Sequence, residues 1–88
     1  MTEEEAREHY PGAARWVYLM DRMNEATGML DEIREFGLSP EEFVANQIAL
    51  NGERPTATPD EARKSREILE QLTHPDALRY VRAKFGAV

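Results

Sequence analysis

The chain has 88 residues, no cysteine and a net charge of −6. A chain of this length buries only about 60–65% of the surface its unfolded form exposes, so it has room for one domain with a thin core. Without cysteine there are no disulfides, no thiolate chemistry and no zinc–sulfur site, and the acidic balance argues against a general nucleic-acid binder, whose phosphate contacts need clustered cations.

The charge is uneven. Residues 1–52 carry 4 basic and 11 acidic side chains, whereas residues 53–88 carry 7 basic and 6 acidic ones. At 41% hydrophobic residues the chain is too apolar for a disordered tail, and at 32% charged residues its surface is expected to be strongly hydrated. The start, Met1-Thr2-Glu3-Glu4-Glu5, is acidic where a signal peptide would be basic and then apolar. The longest apolar run, Trp16–Met20, is far short of the ~20 residues a membrane span needs, so no membrane contact and a cytoplasmic location are expected.

Thr2 followed by Glu5 has the form of a capping box, in which the hydroxyl accepts a first-turn N–H and the acid reaches back to the cap. It opens a short helix over residues 3–10, closed by Pro11-Gly12. The next segment, 13–36, carries Trp16, Leu19, Met23, Ala26, Leu30, Ile33 and Gly37 at alternating spacings of three and four, a heptad a/d stripe. Met20, Thr27, Met29 and Phe36 widen it, while Asp21, Asn24, Glu25, Asp31, Glu32 and Glu35 lie mostly away. One helix of about 24 residues would be ~36 Å long, against roughly 30 Å for the diameter of a compact domain of this size. Gly28, outside the stripe, is where a kink or break would fall.

A second box, Ser39-Pro40-Glu41-Glu42, flanked by Leu38 and Phe43 as a hydrophobic staple, opens a helix over 40–51 that carries Phe43, Val44, Ile48 and Leu50 and stops at Asn51-Gly52. After a loop to Thr58, the box Thr58-Pro59-Asp60-Glu61 opens a helix over 59–72 with Ala62, Ile68, Leu69 and Leu72. Thr73-His74-Pro75-Asp76 is a weaker box ahead of a last helix over 76–85, which carries Leu78, Val81 and Phe85 and ends at Gly86. No segment alternates with period two. The expected fold is all-α, one domain over 1–88 of four to five helices organised around one long central helix.

No catalytic, cofactor or metal residue emerges. His9 and His74, the only histidines, lie in different elements, and a metal site needs three or four converging ligands. Glu3, Glu4, Glu41, Glu42, Asp60 and Glu61 sit where helix dipoles favour negative charge. The scattered glycines form no phosphate loop. Ser39 lies in Gly37-Leu38-Ser39-Pro40, which lacks the Asp of the Asp-Ser-Leu motif of acyl carrier proteins, and its role as a cap accounts for it.

What remains is binding to another protein, a second copy included, with Trp16, Tyr18, Met20, Met23 and Leu30 as candidate contact residues. Tyr18 has two readings: an exposed aromatic anchor, or a ring covered by the first helix folding back. The alternative partner is a nucleic acid. The helix pair over 59–85, joined by a short turn, has the outline of a helix-turn-helix, and Arg63, Lys64, Arg66, Arg79, Arg82 and Lys84 are its candidate contacts.

Overall fold

The computed structural model describes residues 1–86 and contains no strand among them. Six helices follow in order: α1 (Glu3–His9), α2 (Ala14–Thr27), α3 (Met29–Glu35), α4 (Pro40–Glu53), α5 (Pro59–Leu72) and α6 (Pro75–Phe85). Their Cα radius of gyration, 12.9 Å, is close to the ~12 Å expected of a compact chain this long.

Helix starts follow the hydroxyl signals. The Thr2 and Ser39 hydroxyls accept the N–H groups of Glu5 and Glu42, whose carboxylates return a bond to the cap backbone, so both are complete capping boxes. Thr58 caps α5 through the N–H of Glu61. The fourth start differs from the expected box. Thr73 is the C-terminal cap of α5, and its hydroxyl donates to the Glu70 carbonyl, while His74 caps α6 by accepting the Asp76 N–H on Nδ1. Nor does Asn51-Gly52 end the helix over 40–51, since α4 runs on to Glu53. The Asn51 amide donates to the Gln47 carbonyl within it.

The long central helix does not form. The chain breaks at Gly28, which adopts φ 67°, the left-handed region that other residues enter only at a cost. The break is bridged locally. The Gly28 N–H still reaches the Asn24 carbonyl at 2.7 Å, and the Asn24 side chain accepts the Leu30 N–H at 3.0 Å, capping the new helix. One stripe therefore becomes two short faces, each set independently against the rest of the fold.

The centre of the fold is α6 instead, which packs against α2, α3, α4 and α5. Ala77, Tyr80 and Val81 are fully enclosed, and Phe85 nearly so. Around them gather Ala6, Ala13, Trp16, Val17, Met20, Leu30, Phe43, Val44 and Leu72. Tyr80 meets the rings of Tyr10 and Trp16 edge to face, with centroids 5.6 and 6.2 Å apart. The start of α6 is held to the α1–α2 junction, where the Gly12 N–H donates to Asp76 at 2.9 Å. A Cβ at Gly12 would collide with the His74 ring, so the junction needs glycine to close this far.

The break fixes the sign of one substitution. In a continuous helix Gly28→Ala would stabilise by about 1 kcal/mol. At φ 67°, with no atom near the added methyl, it should destabilise by about 1 kcal/mol through backbone strain alone. Thermal and denaturant unfolding of the variant measure that sign. Ser39→Ala should likewise lose about 1 kcal/mol with its cap.

Candidate interaction surface

Helix α2 carries two apolar faces, and the fold buries only one. Ala13, Trp16, Val17, Met20 and Asp21 turn inward. On the opposite side, at helical spacing, stand Arg15, Tyr18, Leu19, Arg22, Met23 and Ala26. Ala13 offers no side-chain cap, so the Trp16 N–H is taken by the Gln71 side chain at 2.9 Å, which ties the start of α2 to the end of α5.

The expected stripe is thus rotated. Its members Leu19, Met23 and Ala26 are exposed, while Asp21 and Asn24, expected away from it, lie on the inner side. Asp21 is 2% exposed, the sole charged residue in the core of the described chain. It is fully partnered. The Tyr80 hydroxyl donates to it at 2.9 Å, Lys84 Nζ lies 3.1 Å away, and the Met1 amino group 2.5 Å away. Burial alone would push the Asp21 carboxyl up, but these donors outweigh it and hold it below the usual carboxylate range. Burial and the facing carboxylate push the Tyr80 phenol far above its ordinary value, so it remains the donor. Such a cluster fixes α2 against α6. Both carboxylate oxygens are engaged, and every buried polar side-chain atom among the described residues has a partner.

The candidate contact residues therefore separate. Trp16, Met20 and Leu30 are core residues, closed off inside the chain. Tyr18 is half-buried: α1 packs on α2, and the Tyr18 ring faces the Arg22 guanidinium at 5.7 Å. Met23 is 50% exposed and Leu19, a member of the same heptad stripe, is 42% exposed. Beside them Glu3, Arg7, Arg15, Tyr18, Leu19 and Gln71 help line an open groove of about 500 Å³ between α1, the start of α2 and the end of α5. Cations outnumber acids here on an acidic protein: Arg15 and Arg22 make no ion pair among the described residues, while Arg7 is loosely paired at 3.5 Å with Glu3, which lines the groove beside it.

The six cations of the helix pair are largely engaged within the chain. Arg79 donates to the His9 carbonyl and to Asp76, Arg82 pairs with Glu41, Lys84 with the buried Asp21, and Arg63 weakly with Asp60. Lys64 and Arg66 have no such partner among the described residues. On α6 the apolar face is spent on the core, so this helix is an internal strut with its arginines tied to neighbouring elements.

Among the described residues no three acidic, histidine or cysteine side chains converge in a way that would hold a metal ion, and no helix is long and apolar enough to cross a membrane. Comparison with family models, with characterised proteins and with solved structures returns no match.

The carboxylates give a pH prediction. Glu5 is lowered by its bonds in the Thr2 box, Glu41 by the bond from Arg82, and Asp76 by the Gly12 N–H, as Asp21 is by its donors. Groups that ionise more readily in the fold stabilise it above the unfolded carboxylate range, and that stabilisation disappears as pH falls through their folded values. Stability measured by urea unfolding should hold from pH 7 to about 5 and fall steeply below about 4. Asp21→Asn should cost on the order of 2 kcal/mol at pH 7, by loss of hydrogen bonds to a charged acceptor, and should flatten the acid limb. A protein that grew more stable on acidification would contradict this reading.

Proposed function

We propose that the chain is a non-catalytic protein-interaction module, an adaptor, regulatory subunit or inhibitor, that receives its partner on the outward face of α2 and the groove beside α1. The observation that carries this reading is the second apolar face of α2. Leu19 and Met23 stand side by side in water, flanked by Tyr18 and by two arginines that make no ion pair among the described residues. Single exposed apolar residues are ordinary, but an aligned apolar row with a charged rim beside a groove has the composition of a docking surface. Tyrosine, methionine and arginine are also enriched at protein interfaces.

The chemistry of the most closed polar cluster supports binding over catalysis. Asp21 is the best-placed carboxylate for acid–base work, yet its oxygens are engaged by three donors, two from α6 and one from the chain start. Nucleic-acid binding through α5 and α6 has less support. Of its six candidate cations only Lys64 and Arg66 stand free of the described carboxylates, and two cations give a weak phosphate footprint.

A photo-crosslinking side chain at Met23, expressed in the native host, should yield a discrete protein adduct, and the same group at Lys64 on α5 should not. Leu19→Glu should abolish the adduct while leaving the thermal melt within about 1 kcal/mol of wild type, as expected of a surface change. An adduct from Lys64 alone, or one indifferent to Leu19→Glu, would contradict the proposal. No retardation of mixed DNA or RNA at low salt is expected.

A further inference from the structure

The α2 groove has a complement on the same molecule. Phe36, the last residue of the α3 turn, is 85% exposed, the most exposed large apolar side chain described. It stands among acids: Asp31, Glu32 and Glu35 are all exposed, and none of them is in an ion pair among the described residues. An apolar plug with an acidic rim on α3 thus has as its counterpart a groove on α2 whose rim carries Arg7 and Arg15 against one acid, Glu3. The groove also has room for the ring, since a cavity of about 150 Å³ accepts benzene and the groove offers about 500 Å³.

The two surfaces cannot meet within one chain. Helix α6 runs between them: Asp76 in its first turn holds Gly12 at the groove, and the Phe85 carbonyl at its far end accepts a bond from Arg34 of α3 at 3.4 Å. Groove and plug therefore lie at opposite ends of α6, separated by about 16 Å of helix. A plug that cannot fold back must enter the groove of another molecule.

We propose that the occupant of the α2 groove is the Phe36 tip of a second copy of this chain, in a head-to-tail contact. The inference rests on the reading of α2 as a docking face and names its partner. Phe36 of one copy enters between Tyr18 and Leu19 of the next, with Arg15 and Arg7 opposite Glu32 and Glu35. The contact is heterologous, so each copy keeps one free groove and one free plug, and assembly proceeds past two unless a ring closes. The charged rims make it weaken as salt rises. The symmetric pairing that a continuous a/d stripe would suggest, Trp16 against Ile33 of a partner, is closed to it, because Trp16 and Leu30 are inside the monomer.

Sedimentation velocity of the full chain, from about 10 µM to about 1 mM at low salt, tests it. The average mass should climb past that of a dimer. Phe36→Ser, which removes the plug, and Leu19→Glu or Arg15→Glu, which spoil the groove, should each weaken association by about thirtyfold or more, as loss of an interface anchor does. All three positions are exposed, and unchanged circular dichroism confirms the fold of each variant. The deciding arm is the mixture. Phe36→Ser keeps a groove and Leu19→Glu keeps a plug, so equimolar amounts should form a 1:1 complex and stop there. A wild-type mass of 10.1 kDa at every concentration would overturn the proposal, as would a dimer abolished by Leu19→Glu yet untouched by Phe36→Ser. A monomer that still crosslinks from Met23 to a different protein would reject self-docking alone and leave the docking face standing. A monomer that crosslinks to nothing would reject both.

Discussion

The left-handed turn at Gly28 decides which apolar residues of the N-terminal half go inside. Were residues 14–35 one helix, a single stripe would face a single neighbour along its length. With φ at 67° the chain changes direction, Asn24 caps the new start, and α2 and α3 are each free to choose a face. Helix α2 then turns Trp16, Val17 and Met20 to α6, and α3 contributes Leu30. The residues left over, Leu19, Met23 and Phe36, are the ones in water. Exposure of these side chains follows from the break.

Helix α6 supplies what the break requires, a strut that both short helices can use. Its Tyr80 is the link between the apolar and polar halves of the core: the ring packs on Tyr10 and Trp16, and the hydroxyl serves Asp21. A buried carboxylate without donors would cost several kcal/mol. With donors from α6 and the chain start it fixes the rotation of α2 about its own axis. That rotation in turn presents Tyr18, Leu19, Arg22 and Met23 outward. Core electrostatics and surface chemistry are thus two consequences of one orientation.

Much of the helix inventory was legible in the sequence because capping is local. Thr2, Ser39 and Thr58 mark their helices correctly, and Pro59 and Gly86 stand where they should, since each signal depends on residues within one turn. The failures came where a tertiary contact decides. A run that includes Ala13, Trp16, Val17, Leu19, Met20 and Met23 supports two apolar faces about equally well, and the heptad spacing chose the wrong one. The usable sign was Asp21. A carboxylate continuing the Ala13–Trp16–Val17–Met20 face marks a buried partner, and Tyr80 and Lys84, one turn apart on the last helix, were available to supply it. Of the candidate contact residues, Trp16, Met20 and Leu30 lie in the core, whereas Met23, a member of the same stripe as Trp16 and Leu30, stands on the exposed face. Phe36 carried no local signal at all: its exposure depends on where α3 ends in space.

The docking surface and the buried face both depend on the separate orientation of α2 and α3. Residual dipolar couplings of the backbone amides in residues 14–27 and 29–35, fitted independently in one alignment medium, measure it without reference to any partner. The structure predicts two distinct helix axes, with the Gly28 coupling pattern of a positive φ between them. A single axis that satisfies both sets of couplings would mean a continuous helix, and with it a different buried face, a different fate for Leu19 and Met23, and no docking surface of the kind described.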